Sequence, residues 1–494
     1  MGVLVVFVAL WPVGLGRDYF NHLPRTYILG FLDREPELQA FYAVSFDFIP
    51  DLTMDLIVPW LSQIIGIYPA GAVTVWLGFV LLPLAGLALA KTLHGHVTWL
   101  SLLGFLTVFN SCMHWGFVNY AASSGLALFA FVAWIRMAPG LRRSVVFAAL
   151  SLFLVANHAL AFLLFGFLAL AWELVNFAQG ARGGLRRFAR QAVLLDFPAM
   201  LPGLLYLAAA FVGAEDIPSP ASQPYVPILK IAAFFSGALF GNGFLAFIIT
   251  MSFAGFFWIA LREKWLIFAP KMGWVFTAFL ALFVIMPISI FNIWGLHFRY
   301  SAPLLVVLSG SIAPTGRMPS NFARSCGIGF VLLGLMAFIN GGEKLAAVDR
   351  QADSFRAQLS HLPAGKKVFV AFSGPQITTD FNLHAAGLAV IERNAFVPNL
   401  FTNTSWVNVT EDMIDLHLPQ GHPIIADELL GLIEQPVKAS RNGFWSTGYA
   451  ADWPNRWDYL LYFKRTSQPG LNDLPVCEVS ATPTTIIYKT GACD

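Results

Sequence analysis

Five titratable residues fall within a polar interval that opens at Gly16 and closes at Pro59: Asp18, His22, Arg25, Asp51 and Asp55. Apolar stretches flank this interval, so its charges sit beside lipid, where they are costly to hold and often functional. A carboxylate just beyond a helix end can serve as general base toward a hydroxyl approaching from outside. The spacing Asp18-x-x-x-His22-x-x-Arg25 puts three such side chains on one face if the segment begins helically. His22 could then share the proton or hold the acceptor, and Arg25 could grip a phosphate or sugar carboxylate. The competing roles are helix termination or an ion pair for Asp18, and snorkelling toward headgroups for His22 and Arg25.

Asp51 follows Pro50 and is expected to be a helix N-cap. Asp55, four residues on, suits the positive end of the same helix. Paired with Asp18 it would complete a two-carboxylate site, one member activating the acceptor and the other orienting it or holding a divalent metal ion. No Cys/His metal spacing occurs.

Polar residues elsewhere fall at the ends of apolar segments: His114 and Asn119, Asn157-His158, and His297, Arg299 and Tyr300. A guanidinium at the outer lipid boundary matches a mono- or diphosphate headgroup bidentately, or anchors the interface. That places Arg299 among the candidate substrate contacts. His158, His114, His297 and Tyr300 could join it, with Lys230 as a second phosphate contact. The proline-rich loop 213–227 before Lys230 reads either as a lid or as a plain connector.

The elements that must position these groups are membrane helices. The chain is 57 % apolar and 12 % charged over 494 residues, against about 25 % charged in soluble domains. Eleven apolar segments are expected, near 2–16, 70–90, 97–112, 118–135, 144–156, 159–177, 193–212, 244–261, 273–291, 302–314 and 325–341. The first is short and also resembles a signal sequence, but lacks a basic start and a small-residue cleavage site. It is read as a helix whose true start is open.

Alternation from a cytoplasmic N-terminus leaves thirteen basic residues in inner loops, between Lys91 and Arg324. The outer loops before residue 342 hold five: Arg17, Arg25, Arg34, Lys230 and Arg299. The positive-inside rule therefore favours this topology, with 144–177 as a hairpin broken at Asn157-His158.

Residues 342–494 then lie outside, in the periplasm of a bacterial source, as an α/β domain. A helix is expected over Glu343–Leu359. Strands are expected at Lys366–Phe372, Ala386–Ile391 and Tyr459–Phe463, with a closing hairpin around Val479 and Thr485–Tyr488. Cys477 and Cys493 are disulfide candidates, whereas Cys112 and Cys326 read as buried apolar side chains. The arginines form scattered clusters, which excludes a nucleic-acid footprint.

Taken together, the chain resembles the GT-C superfamily of polyprenyl-phosphate-dependent integral membrane glycosyltransferases. The resemblance covers the membrane part, about residues 1–341, and rests on four features. These are a short first helix with a long outer loop (17–69) opening Arg17-Asp18-Tyr19-Phe20-Asn21-His22, and the tight hairpin at Asn157-His158. The others are the Arg299-Tyr300-Ser301-Ala302-Pro303 run entering a late helix, and the outer C-terminal domain. It implies an inverting, metal-optional transfer of one sugar from a polyprenyl-phosphate carrier to a saccharide, lipid or protein acceptor, at the outer face of the inner membrane. Asp18 would be the base and Arg299 the carrier-phosphate ligand. The alternative is a non-catalytic transporter or assembly component for lipid-linked polysaccharide, although such transporters usually show repeated halves and mid-membrane charges.

Overall fold

The structure, a computed structural model, describes residues 16, 18–180, 184–213, 230–231, 233–234, 243–290, 293–374, 382–402, 405–417, 424–434, 448–471, 473–491 and 493. The expected first helix at 2–16 and nearly all of loop 213–227 lie outside the described residues.

Two helices belong to the polar interval, α1 (Tyr19–Phe31) and α2 (Thr53–Ile65). The apolar part holds α3 (Ile67–His94), α4 (Val118–Arg136), α5 (Leu141–Asn157), α6 (Ala159–Ala178) and α7 (Leu296–Ser311), with the helices Phe197–Gly213, Gly243–Arg262 and Met272–Ile285 between α6 and α7. The last, α8 (Ser320–Leu359), joins the segment at 325–341 and the helix expected at Glu343–Leu359 into 40 continuous residues. Among the described residues, α3, α4, α6, α8 and the run Leu185–Ala210 are long and apolar enough to cross a bilayer. Helices suit that solvent because they satisfy every backbone polar group internally.

The segment at 97–112 departs from expectation. It forms a nine-residue 3-10 helix, Trp99–Thr107, and then a five-residue turn of α-helix, Ser111–Trp115. Hydroxyls of Ser101 and Thr107 donate to carbonyls three residues back, at 2.6 and 2.7 Å. Asn110 Oδ1 then caps the next turn by accepting from the Cys112 and Met113 amides, at 2.8 and 3.3 Å. Such local bonds compete with a straight α-helix. At about 2 Å rise per residue the 3-10 piece is too short to span.

The break between α5 and α6 lies where the hairpin was expected. His158 adopts extended backbone angles, φ −169° and ψ 123°, and its side chain caps α6.

Beyond α8 lies a mixed five-stranded sheet. With β1 (Tyr42–Val44) in the first loop, its strands are β2 (Val368–Phe372), β4 (Ile424–Ile425), β5 (Tyr459–Phe463), β6 (Val476–Ala481) and β7 (Thr485–Thr490); β3 (Val407–Val409) stands apart. The order is β6-β7-β5-β2-β4, antiparallel at β6/β7/β5 and parallel at β5/β2/β4. Ala386–Ile391 is not a strand, because Leu388–Arg393 is helical. Its Leu388, Ala389 and Val390 are buried on all sides, and a short apolar run of that kind carries no periodicity that separates strand from helix. Cys477 and Cys493 are disulfide-bonded, whereas Cys112 and Cys326 are free thiols.

The first loop is built into this C-terminal region. Strand β1 pairs antiparallel with β3, Tyr42 opposite Val409 and Val44 opposite Val407. Tyr19, Phe20, Leu23 and Met54 share one apolar core with Phe355, Val368, Phe396 and Leu460. Backbones meet closely at Gly387, where a Cβ would stand 2.3 Å from the Phe20 carbonyl oxygen.

Candidate functional site

Asp18 directly precedes α1 and is braced from below, its amide donating to the Trp115 carbonyl at 3.0 Å. Its carbonyl accepts from the Asn21 and His22 amides at 3.0 and 2.9 Å, which starts the helix. The carboxylate, about a fifth exposed, lies 3.6 Å from His384 Nε2 of the C-terminal region. His114 belongs to the turn that supplies the brace.

Arg25, about two turns further along α1, is turned to α2. Its Nε and Nη2 donate to Asp55 Oδ1 and Oδ2 at 3.1 and 2.6 Å, and both side chains are fully buried. The residues expected to grip substrate and to complete a catalytic pair thus hold each other. Asp55 is engaged by Arg25, whereas the Asp18 carboxylate lies beside His384.

Asp51 does not cap α2. Leu52 occupies that position and no side chain closes the cap. The amide of Leu52 instead donates to the carbonyls of Ala156 and Asn157, at 3.1 and 3.2 Å. Thr53 Oγ1 donates to Asn157 Oδ1 at 3.1 Å, and the Met54 amide donates to Asn119 Oδ1 at 2.9 Å. These bonds pin the loop to the α5–α6 hairpin and leave the Asp51 carboxyl, about a quarter exposed, 3.9 Å from His158 Nε2. Burial pushes that carboxyl up to about 7, against the pull of Arg25, Asn119 and Arg299.

Arg299, in the first turn of α7, stacks over Phe117 at 4.1 Å and places Nη1 3.0 Å from His158 Nε2. Tyr120 fixes the turn by donating to the Arg299 carbonyl at 2.7 Å. Tyr300, expected as a ligand, donates to the Leu160 carbonyl at 3.2 Å.

The contact between Arg299 and His158 has a notable proton count. His158 Nδ1 already faces a donor, the Leu160 amide at 3.1 Å. A neutral imidazole has one lone pair and an imidazolium has none. It cannot accept from both the amide and the guanidinium, and Arg299 Nε is buried without a partner among the described residues. The cluster is rich in donors and short of an acceptor.

His22 lies amid these groups, since Arg25, His384, Arg299 and His158 all act on it. Burial first, and then this positive surround, hold its ring well below the usual imidazole range. Its Nδ1 is buried with no partner among the described residues.

Lys230 is buried, donates to the Phe283 carbonyl at 2.9 Å and neighbours His297. An apolar hollow of about 360 Å³ lies between Phe253, Phe257, Phe276, Leu305 and Leu308. Of its lining residues, Leu308 falls opposite Arg299 around α7 at helical spacing. Among the described residues no group of three or more His, Cys, Asp or Glu side chains could hold a metal ion.

Asn21 and His384 are functional candidates that inspection of the sequence did not single out. His384 lies more than 360 residues from Asp18 with no motif around it, and tertiary contacts such as the β1–β3 pairing, the shared core and the Asn21 hydrogen bonds bring it close.

No protein-family model and no curated protein sequence matches the chain. Solved structures do. The chain is similar to ArnT from Cupriavidus metallidurans in the apo state, with TM-score 0.53 and 12 % identity, over 99 % of this chain and 96 % of that one. The ArnT structure bound to undecaprenyl phosphate matches with TM-score 0.51 and 12 % identity, over 99 % and 98 %. The likeness runs through the membrane helices and the C-terminal region alike, and the protein has a GT-C-like, polytopic membrane fold.

Proposed function

We propose that the protein is a membrane glycosyltransferase that moves a sugar from a polyprenyl-phosphate donor to an acceptor hydroxyl at the outer face of a bacterial inner membrane. The observation that carries this reading is the donor-rich pair Arg299–His158, short of an acceptor beside Asp51. An oxyanion supplied by a carrier phosphate would take the hydrogen bonds that one imidazole lone pair cannot. Charge-assisted bonds of this kind contribute about 1.5–3 kcal/mol each. The ArnT structure of the same fold was solved with undecaprenyl phosphate.

In the transfer, the Asp18 carboxylate takes the proton of the acceptor hydroxyl. The acceptor oxygen bonds to the anomeric carbon of the donor sugar. The bond from that carbon to the carrier phosphate breaks, and its electron pair leaves on the phosphate, next to Arg299. Arg25 and Asp55 are assigned a supporting role, holding α1 against α2 so that Asp18 and His22 face the centre. Residues 342–494 share the outer side with the loop to which they are bonded. Exposed Trp60 and Ile64 on α2 would rest on the headgroup layer.

The test is binding of undecaprenyl phosphate and of undecaprenol to the full chain in lipid nanodiscs, with sugar transfer measured alongside. The phosphate is expected to tighten binding at least about tenfold, and Arg299→Ala to abolish that difference. Asp18→Asn is expected to bind the carrier normally and to lose transfer by about 10²- to 10⁴-fold. Equal affinity for alcohol and phosphate, or full transfer by Asp18→Asn, overturns the reading. Carrier movement across the bilayer without sugar transfer would favour the transport role.

A further inference from the structure

From the hydrogen bonds around Asn21 we infer that His384 is a positioning residue for Asp18, so that the C-terminal region supplies part of the active centre. The inference rests on the transferase reading for its chemical meaning and on geometry for its content.

Three contacts of one amide settle the orientation. Asn21 Oδ1 accepts from the Phe401 amide at 2.6 Å, which an amide nitrogen could not do. Asn21 Nδ2 is therefore the donor end, with two hydrogens. It donates to the Asn399 carbonyl at 2.8 Å, and it lies 3.1 Å from His384 Nδ1. That ring nitrogen must then be the acceptor, and the neutral imidazole carries its proton on Nε2. Nε2 is the atom that stands 3.6 Å from Asp18 Oδ1. Catalytic hydrogen bonds in substrate-free structures are often long and tighten with substrate bound.

The ring has little freedom to turn. It is buried, with an edge-to-face contact to Phe401 at 5.0 Å, and the backbone of the following turn is pressed against α1 at Gly387. Donation from Nε2 would aim one lone pair of the Asp18 carboxylate at the ring and fix the plane in which the carboxylate meets the acceptor hydroxyl. A carboxylate left to rotate would lose that alignment, and misplacement of about 1 Å can cost about a hundredfold in rate. His384 touches neither donor nor acceptor in this scheme. It acts through Asp18.

The experiment uses the full chain in nanodiscs with ¹⁵N-labelled histidine rings, the His384 signals assigned by difference against His384→Gln. The expected spectrum has the proton on Nε2 and an unprotonated, hydrogen-bonded Nδ1. A proton on Nδ1 overturns the inference whatever the protein transfers. In the activity arm, His384→Phe keeps the aromatic contact and removes the donor. It is expected to lower kcat between about ten- and a hundredfold with KM for the polyprenyl-phosphate sugar unchanged. His384→Gln, whose amide nitrogen can occupy the place of Nε2, is expected to restore most of kcat. Wild-type kcat in His384→Phe overturns the inference while leaving the transferase reading intact. Absence of transfer by the wild type removes the transferase reading, and the ring spectrum still decides the geometry.

Discussion

The Arg25 guanidinium closes a two-pronged ion pair on the Asp55 carboxylate, 3.1 and 2.6 Å long, with both side chains out of contact with solvent. It joins α1 to α2, and those two helices carry His22, Arg25 and Asp55 and are flanked by Asp18 and Asp51. Removing one member leaves an uncompensated buried charge, which costs about 3–5 kcal/mol. Asp55→Ala is expected to destabilise the protein by that amount in thermal or denaturant unfolding. The apolar double replacement Arg25→Met with Asp55→Leu is expected to recover most of the loss, because desolvation of both charges is then avoided. A loss below about 1 kcal/mol in the single variant would show that the pair does not hold the helices.

Asp51 makes stability depend on pH. Its carboxyl is raised to about 7 in the folded state, chiefly by burial. The folded protein therefore holds this proton more tightly than the unfolded chain. The resulting stabilisation is present below the ordinary carboxylate range and is lost as pH rises through about 7. Asp51→Asn is expected to be more stable relative to wild type at about pH 8 than at about pH 5, as read by melting temperature in detergent. An identical difference at both pH values would place the Asp51 proton elsewhere.

The bond between Cys477 and Cys493 ties strand β6 to the residues that follow β7. Closing a loop of 16 residues stabilises a folded chain by about 3 kcal/mol in the chain-entropy account. Such bonds persist in oxidising compartments. Protein purified from membranes without reductant is expected to show two alkylatable thiols, from Cys112 and Cys326, and four after reduction. Four free thiols before reduction would argue against an outer location for this region. The Cys477→Ser, Cys493→Ser double variant is expected to melt earlier.

Much of the membrane part was legible in the order of residues. Lipid demands long unbroken apolar helices, and α3, α4 and α6 announce themselves by hydropathy alone. The break at Asn157-His158 was legible from charge, since the positive-inside rule groups Arg142 with the cluster at Arg186, Arg187 and Arg190 and so asks for two segments between them. The 3-10 segment Trp99–Thr107 was hidden, because its hydroxyls spend their bonds on nearby carbonyls without altering hydropathy. Asp18, His22, Arg299 and His158 could be picked out as polar residues at apolar edges. Their partners could not. Whether Arg25 faces substrate or Asp55 depends on how α1 lies against α2, and His384 reaches the first loop only through tertiary pairing.

The ladder between Tyr42–Val44 and Val407–Val409 has a consequence for how the chain can be cut. Ending it near residue 341 would strip β1 of the strand it pairs with among the described residues and expose the part of α1 that shares a core with Val368, Phe396 and Leu460. The tail expressed alone would lack the same surfaces. Each fragment is therefore expected to be less soluble than the whole polypeptide, whose head and tail cover one another's apolar faces.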